Sequence, residues 1–129
     1  LGGDGWDGVL KKIDASSVSC LDGALYCSHY SSQSSDERVQ TFIKNYTEKF
    51  GEAPNTFAAL GYDAAYMMTK AIENAGSTDS AAIVEAMKNL EYDGITGHMV
   101  FDENRNPIKS AVILEINGGA ESFVENYEK

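Results

Sequence analysis

Residues 54–79 read PNTFAALGYDAAYMMTKAIENAGSTD, the longest uninterrupted helical pattern in the chain. Phe57, Leu60, Ala64, Met67, Met68, Ala71, Ile72 and Ala75 recur at steps of three and four, which predicts one broad apolar face. Pro54 and Asn55 mark the start, and Gly76 stands where a helix takes a left-handed C-terminal residue. Alanine at 58, 59, 64, 65 and 71 lets a neighbouring element approach closely. The plain reading is a buried scaffold helix without chemistry. Tyr62 and Asp63 are candidates to touch a ligand, yet on helix interiors such residues more often hydrogen-bond a neighbouring element.

Composition narrows the rest. The length of 129 residues suits one domain with a modest core. An apolar share of 43% with clear periodicity argues for a folded chain. Ten basic against twenty acidic residues give a net charge of −10, which argues against nucleic acid and anionic membranes as partners. No apolar run approaches the length of a transmembrane helix.

Two further stretches stand out. LGGDGWDG, residues 1–8, is a glycine-rich opening whose backbone can approach a neighbour closely. GITGHMVFDENRNP, residues 94–107, begins a region with a two-residue period. Together with residues 56–79, these stretches resemble, in the expected order, the type I periplasmic binding proteins. Within them the likeness is to the leucine/isoleucine/valine-binding family of ABC transporters. The phrase YDAAY followed by AGSTD, and the G-x-T-G…F-D hairpin, carry the resemblance.

The resemblance implies an α/β, periplasmic-binding-protein-like (type I) fold with three-layer α/β/α character. Members have two lobes joined by three crossings that close on a small ligand. They are more than twice as long, so the chain is expected to be a C-terminal fragment. Residues 1–28 and 112–129 would belong to the second lobe and residues 29–111 to the first. The crossings would fall near Tyr26–Tyr30 and Ser110–Leu114. The family reading implies extracytoplasmic capture of a branched-chain or related amino acid and a membrane permease as partner, with no cofactor and no catalysis. A ligand sensor of related fold is the alternative. In a fragment, open sheet edges favour dimerisation or strand swapping.

The resemblance aligns Asp4 with the acidic residue that binds the ligand's ammonium, a task suited to a carboxylate because it accepts several charge-assisted hydrogen bonds. Trp6 is a candidate wall of the pocket. Asp4 also suits a helix cap or a turn, and Asp7 an N-terminal helix position. Residues 3–8 match G-x-G-x-x-G, but no acidic residue ends a second strand at the required distance. His29 and Tyr30 could border the cleft, with an ordinary loop histidine the plainer reading. Cys20 and Cys27 permit one disulfide if the chain turns back between them, the oxidising compartment of the family favouring it; two buried thiols are the alternative.

Trp6 to Asp14 reads as a short helix, Ala15 to Cys20 as a loop and Leu21 to Ser28 as a strand. Ser34 with Glu37 fits a capping box before a helix ended by Gly51, and Asp79 a cap for the next helix. Ile95–Phe101 and Ser110–Ile116 are expected to form a hairpin around the turn at 102–107, with Gly118-Gly119 leading into a last strand from Ser122. Cysteine and histidine spacings match no standard zinc site, and the 102–107 turn lacks the features of a calcium loop. Neither a Ser–His–Asp pattern nor G-x-S-x-G occurs.

Overall fold

The computed structural model describes residues 1–127. Three helices follow one another: α1 (Glu37–Phe50), α2 (Thr56–Ala75) and α3 (Ser80–Lys88). Six strands surround them: β1 (Ala24–Ser28), β2 (Tyr92–Gly94), β3 (Gly97–Phe101), β4 (Pro107–Lys109), β5 (Ala111–Asn117) and β6 (Ala120–Tyr127). The strands make two antiparallel sheets, ordered β1-β5-β6 and β2-β3-β4.

Local chemistry sets the helix ends. Asn55 caps α2 by accepting from the Ala58 amide, and Asp79 caps α3 by accepting from the amides of Ala81 and Ala82. Gly51 and Gly76 end α1 and α2 in the left-handed conformation. The start of α1 corrects the expected capping box. Asp36, not Ser34, caps it by accepting from the Arg38 amide, while Ser34 Oγ accepts from the Asp36 amide one turn earlier.

α2 forms where its periodicity predicts, but its buried stripe is Thr56, Ala59, Asp63, Met67 and Ala71. That stripe runs through a carboxylate that pattern-reading by hydrophobicity skips. Phe57 and Met68, expected inside, are 64% and 45% exposed.

The expected hairpin is divided between the two sheets. β3 pairs with the short β4, while β5 runs between β1 and β6 in the other sheet. The single residue Ser110 separates them. A strand flanked on both sides and packed on its faces reads as a continuous apolar run, and Ala111–Leu114 is one. Gly118 and Gly119, with φ of 57° and 77°, turn β5 into β6.

The opening segment also departs from expectation. The predicted helix over Trp6–Asp14 is two short 3-10 turns, Asp4–Trp6 and Val9–Lys11, split by Gly8 at φ 73°. The stretch expected to be a loop is a 3-10 run over Ala15–Leu21, capped by Asp14 through Ser16. The strand expected from Leu21 starts at Ala24, after Gly23. Cys20 and Cys27 are exposed free thiols, neither bridged nor buried. Tyr26 and Ser28 face inward on β1, so alternation turns Cys27 outward.

Three small cores hold these pieces. Tyr26, Leu114 and Ile116 pack under the first sheet. Tyr30, Val39, Phe42 and Ala59 join α1 to α2. Met67, Leu90 and Met99 join α2 to the second sheet.

Candidate binding cleft

The glycine-rich opening lies beside β1. Gly2 bridges Tyr26 in parallel: its amide donates to the Leu25 carbonyl at 2.8 Å, and its carbonyl accepts from the Cys27 amide at 3.3 Å. Two parallel segments therefore end side by side. Asp4 lies just beyond one and His29 just beyond the other. The carboxyl ends of parallel strands are where α/β proteins place ligands.

There, His29 Nε2 stands 3.5 Å from Asp4 Oδ2. The Asp4 side chain is 65% exposed, so most of its oxygen surface is open to a cation. His29 is one-third exposed, with Nδ1 buried and without a hydrogen-bond partner.

Trp6 is placed differently. It packs with Val9 and Leu10 against the core of Tyr26, Leu114 and Ile116, its ring centroid 6.5 Å from that of Tyr26. A Cβ on Gly2 would stand 2.5 Å from Trp6 Cδ2. The glycine thus makes room for the indole, and the indole anchors the loop that carries Asp4.

Asp7, expected to serve a helix N-terminus of its own, serves that of α2. Its Oδ2 accepts from the Thr56 amide at 3.1 Å. Thr56 Oγ1 in turn lies 2.9 Å from Ser28 Oγ, which donates to the Tyr30 carbonyl. This chain of contacts ties the opening loop and the end of β1 to α2. Tyr30 is buried beside it, its hydroxyl pushed up to about 12 by burial and then by the Asp7 charge.

Two concavities flank this junction. The larger, about 1050 Å³, is lined in part by His29, Asp36, Arg38, Thr96 and Lys109. The smaller, about 290 Å³, is lined in part by Asp7, Lys11, Tyr30, Thr56 and Glu121. His29 connects the larger one to Asp4.

Behind the larger concavity sits Asp63, fully buried. Its carboxylate accepts from the amides of Ile95 and Thr96 at 3.0 and 2.8 Å and from Thr96 Oγ1 at 2.6 Å. Lys109 Nζ donates to Thr96 Oγ1 at 3.1 Å; burial lowers its pKa and the Asp63 charge opposes that. Tyr92 is pushed up to about 12 by burial and then by Asp63. Asp63 is a structural clasp, the role the sequence favoured over ligand contact. The His29–Asp4 pair had no sequence signal, because it depends on Gly2 lying in parallel beside Tyr26, 24 residues on.

The model of the periplasmic binding protein family matches residues 1–121. The chain belongs to that family. Its fold is the mixed α/β fold of type I members. The leucine binding protein LivK of Thermotoga maritima is 34% identical, with a TM-score of 0.80 over 98% of this chain and 36% of that one. The branched-chain amino acid transporter substrate binding protein LivJ of Streptococcus pneumoniae, solved with isoleucine, is 28% identical, with a TM-score of 0.77 over 95% and 36%. A solute binding protein of an ABC transporter from R. palustris, solved with benzoate, shares the fold at 22% identity and a TM-score of 0.77 over 98% and 35%. The chain therefore spans about a third of the length of these proteins. A metabotropic glutamate receptor-like protein of Dictyostelium discoideum is 31% identical over 70 residues, 50% of this chain and 9% of that protein.

Proposed function

We propose that this chain is part of the substrate-binding component of an ABC transporter and captures a branched-chain or related amino acid outside the cytoplasm. The observation that carries the reading is Asp4: an exposed carboxylate at the carboxyl end of the parallel Gly2–β1 pair. A fixed carboxylate there matches a ligand ammonium. Trp6, packed behind the loop against the Tyr26 core, is the candidate wall of the pocket. The 34% identity to a leucine binding protein favours an aliphatic amino acid over the aromatic acids bound by more distant relatives.

In this reading the sheet β1-β5-β6, with residues 1–28 and 112–129, belongs to the second lobe; the last two of these lie outside the described residues. Residues 29–111 belong to the first. The switch from β4 to β5 at Ser110, and the polar segment after Ser28, are the crossings. The Asp7–Thr56 contact then spans the lobes. A membrane permease receives the ligand. The family is one of substrate-binding proteins, and among the described residues no helix is long and apolar enough to cross a membrane.

A second reading, a sensor ectodomain, draws support from the receptor-like relative. A signalling partner in place of a permease separates it from the first.

A thermal-shift panel on the whole protein tests the substrate class. Ligands that bind only the folded state raise the melting temperature by mass action, worth about 2.7 kcal/mol at a hundredfold excess over Kd. The largest rise is expected with L-leucine or L-isoleucine. A response to benzoate with none to amino acids would contradict the proposal.

A further inference from the structure

We propose that Gln33 is the pivot of the crossing that follows Ser28: its backbone is held by α1 and its side chain by β6, so movement of one lobe against the other turns about this residue. This rests on the lobe assignment given above.

β6 is the outer strand of its sheet. An outer strand presents backbone groups that no further strand pairs. Gln33 fills two of them. Its Nε2 donates to the Glu121 carbonyl at 3.2 Å, and its Oε1 accepts from the Phe123 amide at 3.0 Å. A carboxamide carries donor and acceptor in one plane, so this side chain takes the place of one residue of a neighbouring strand. Both bonds must form at once, which fixes the direction of the side chain as well as its reach.

The backbone on either side of Gln33 is held by the other lobe. Gln40, in the first turns of α1, donates from Nε2 to the Ser32 carbonyl at 3.1 Å and to the Ser34 carbonyl at 2.7 Å. These carbonyls flank Gln33. The Ser34 amide donates to the Ser31 carbonyl at 3.2 Å and closes the segment as a turn, and the Ser31 hydroxyl accepts from the Gln33 amide at 3.2 Å. The turn thus travels with α1, and the side-chain torsions of Gln33 lie between it and the strand. Hinges concentrate motion in a few such loop residues. The two grips act in series, so losing either one releases the link.

Two measurements on the whole protein, both without ligand, test this. Hydrogen exchange reads the grip on β6. Gln33→Ala should speed exchange of the Phe123 amide about threefold to tenfold, as expected for one lost hydrogen bond. Gln33→Glu keeps an acceptor for that amide and should change it less than about twofold. Equal acceleration in the two variants, or none in Gln33→Ala, would overturn the proposal. Distances between spin labels on Cys20 and on Asn45→Cys, both exposed positions, read the lobes in a Cys27→Ser background. The distance distribution should broaden in Gln33→Ala and in Gln40→Ala, and in the double variant no further than in the broader single one. An unchanged width in Gln33→Ala, or a double variant broadened by the sum of both, would also overturn it. Failure of L-leucine to bind would count against the capture reading and leaves both measurements decisive for the pivot.

Discussion

Asp63 shows how one buried carboxylate can fix the relation of a helix to a sheet. It accepts from two backbone amides and a hydroxyl at the β2–β3 turn, and Gly94 approaches so closely that any Cβ there would collide with it. Asp63→Ala leaves two amides and a threonine hydroxyl without their acceptor, each orphan costing about 1–3 kcal/mol. The variant is therefore expected to lose about 3 kcal/mol or more in urea denaturation, and Gly94→Ala about 1–3 kcal/mol through overpacking. Losses under 0.5 kcal/mol, roughly the scatter of surface substitutions, would remove Asp63 from this role. The sequence pointed to a hydrogen-bonded residue at this position but not to its partners. Those lie some thirty residues on, at a turn whose G-x-T-G pattern was legible only as part of a hairpin. Asp4 was singled out through the resemblance alone and His29 as a possible border of the cleft, but nothing in the sequence paired the two.

Elements were read more surely than their pairing. α1, α2 and α3 have strong local signals: a capping side chain at one end, a periodic face, and glycine or a loop at the other. The split of β4 from β5 has no such signal, since Ser110 looks like any strand residue until two different sheets claim its neighbours. The cap of α1 makes a testable case. The Arg38 guanidinium, and then the Arg38 amide, hold the Asp36 carboxyl below the usual carboxylate range. The ionised form thus favours the folded helix. That gain is complete above the unfolded pKa of about 3.9 and is lost as pH falls through the lower folded value. Because the pair is largely exposed, screening keeps it below about 1 kcal/mol. Asp36→Asn, still a good cap, is expected to flatten the acid limb of stability against pH, measured by denaturation from pH 6 to pH 2. An unchanged limb would place the acid sensitivity elsewhere.

At the scale of the molecule, apolar surface remains open. Phe42, Tyr46 and Phe50 on α1 meet Tyr62 and Tyr66 on α2 in a run of rings 4.5–5.7 Å apart, and Phe50, Tyr62 and Tyr66 are well exposed. Phe57 and Met68 extend the apolar surface of α2. A monomer seldom leaves such a surface bare. In the two-lobed reading the rest of the first lobe covers it; a chain of residues 1–129 alone is expected to associate as concentration rises, seen as increasing mass in light scattering. A strictly monomeric chain at high concentration would argue against that. The central claim, however, is that Asp4 answers a ligand ammonium across a closing cleft. Calorimetric titration of L-leucine into the whole protein, unaltered and as Asp4→Asn, tests it most directly. Removing one partner of a buried charge pair costs about 2 kcal/mol or more, so the variant should bind at least roughly thirtyfold more weakly. Equal affinity in the two proteins would contradict the account.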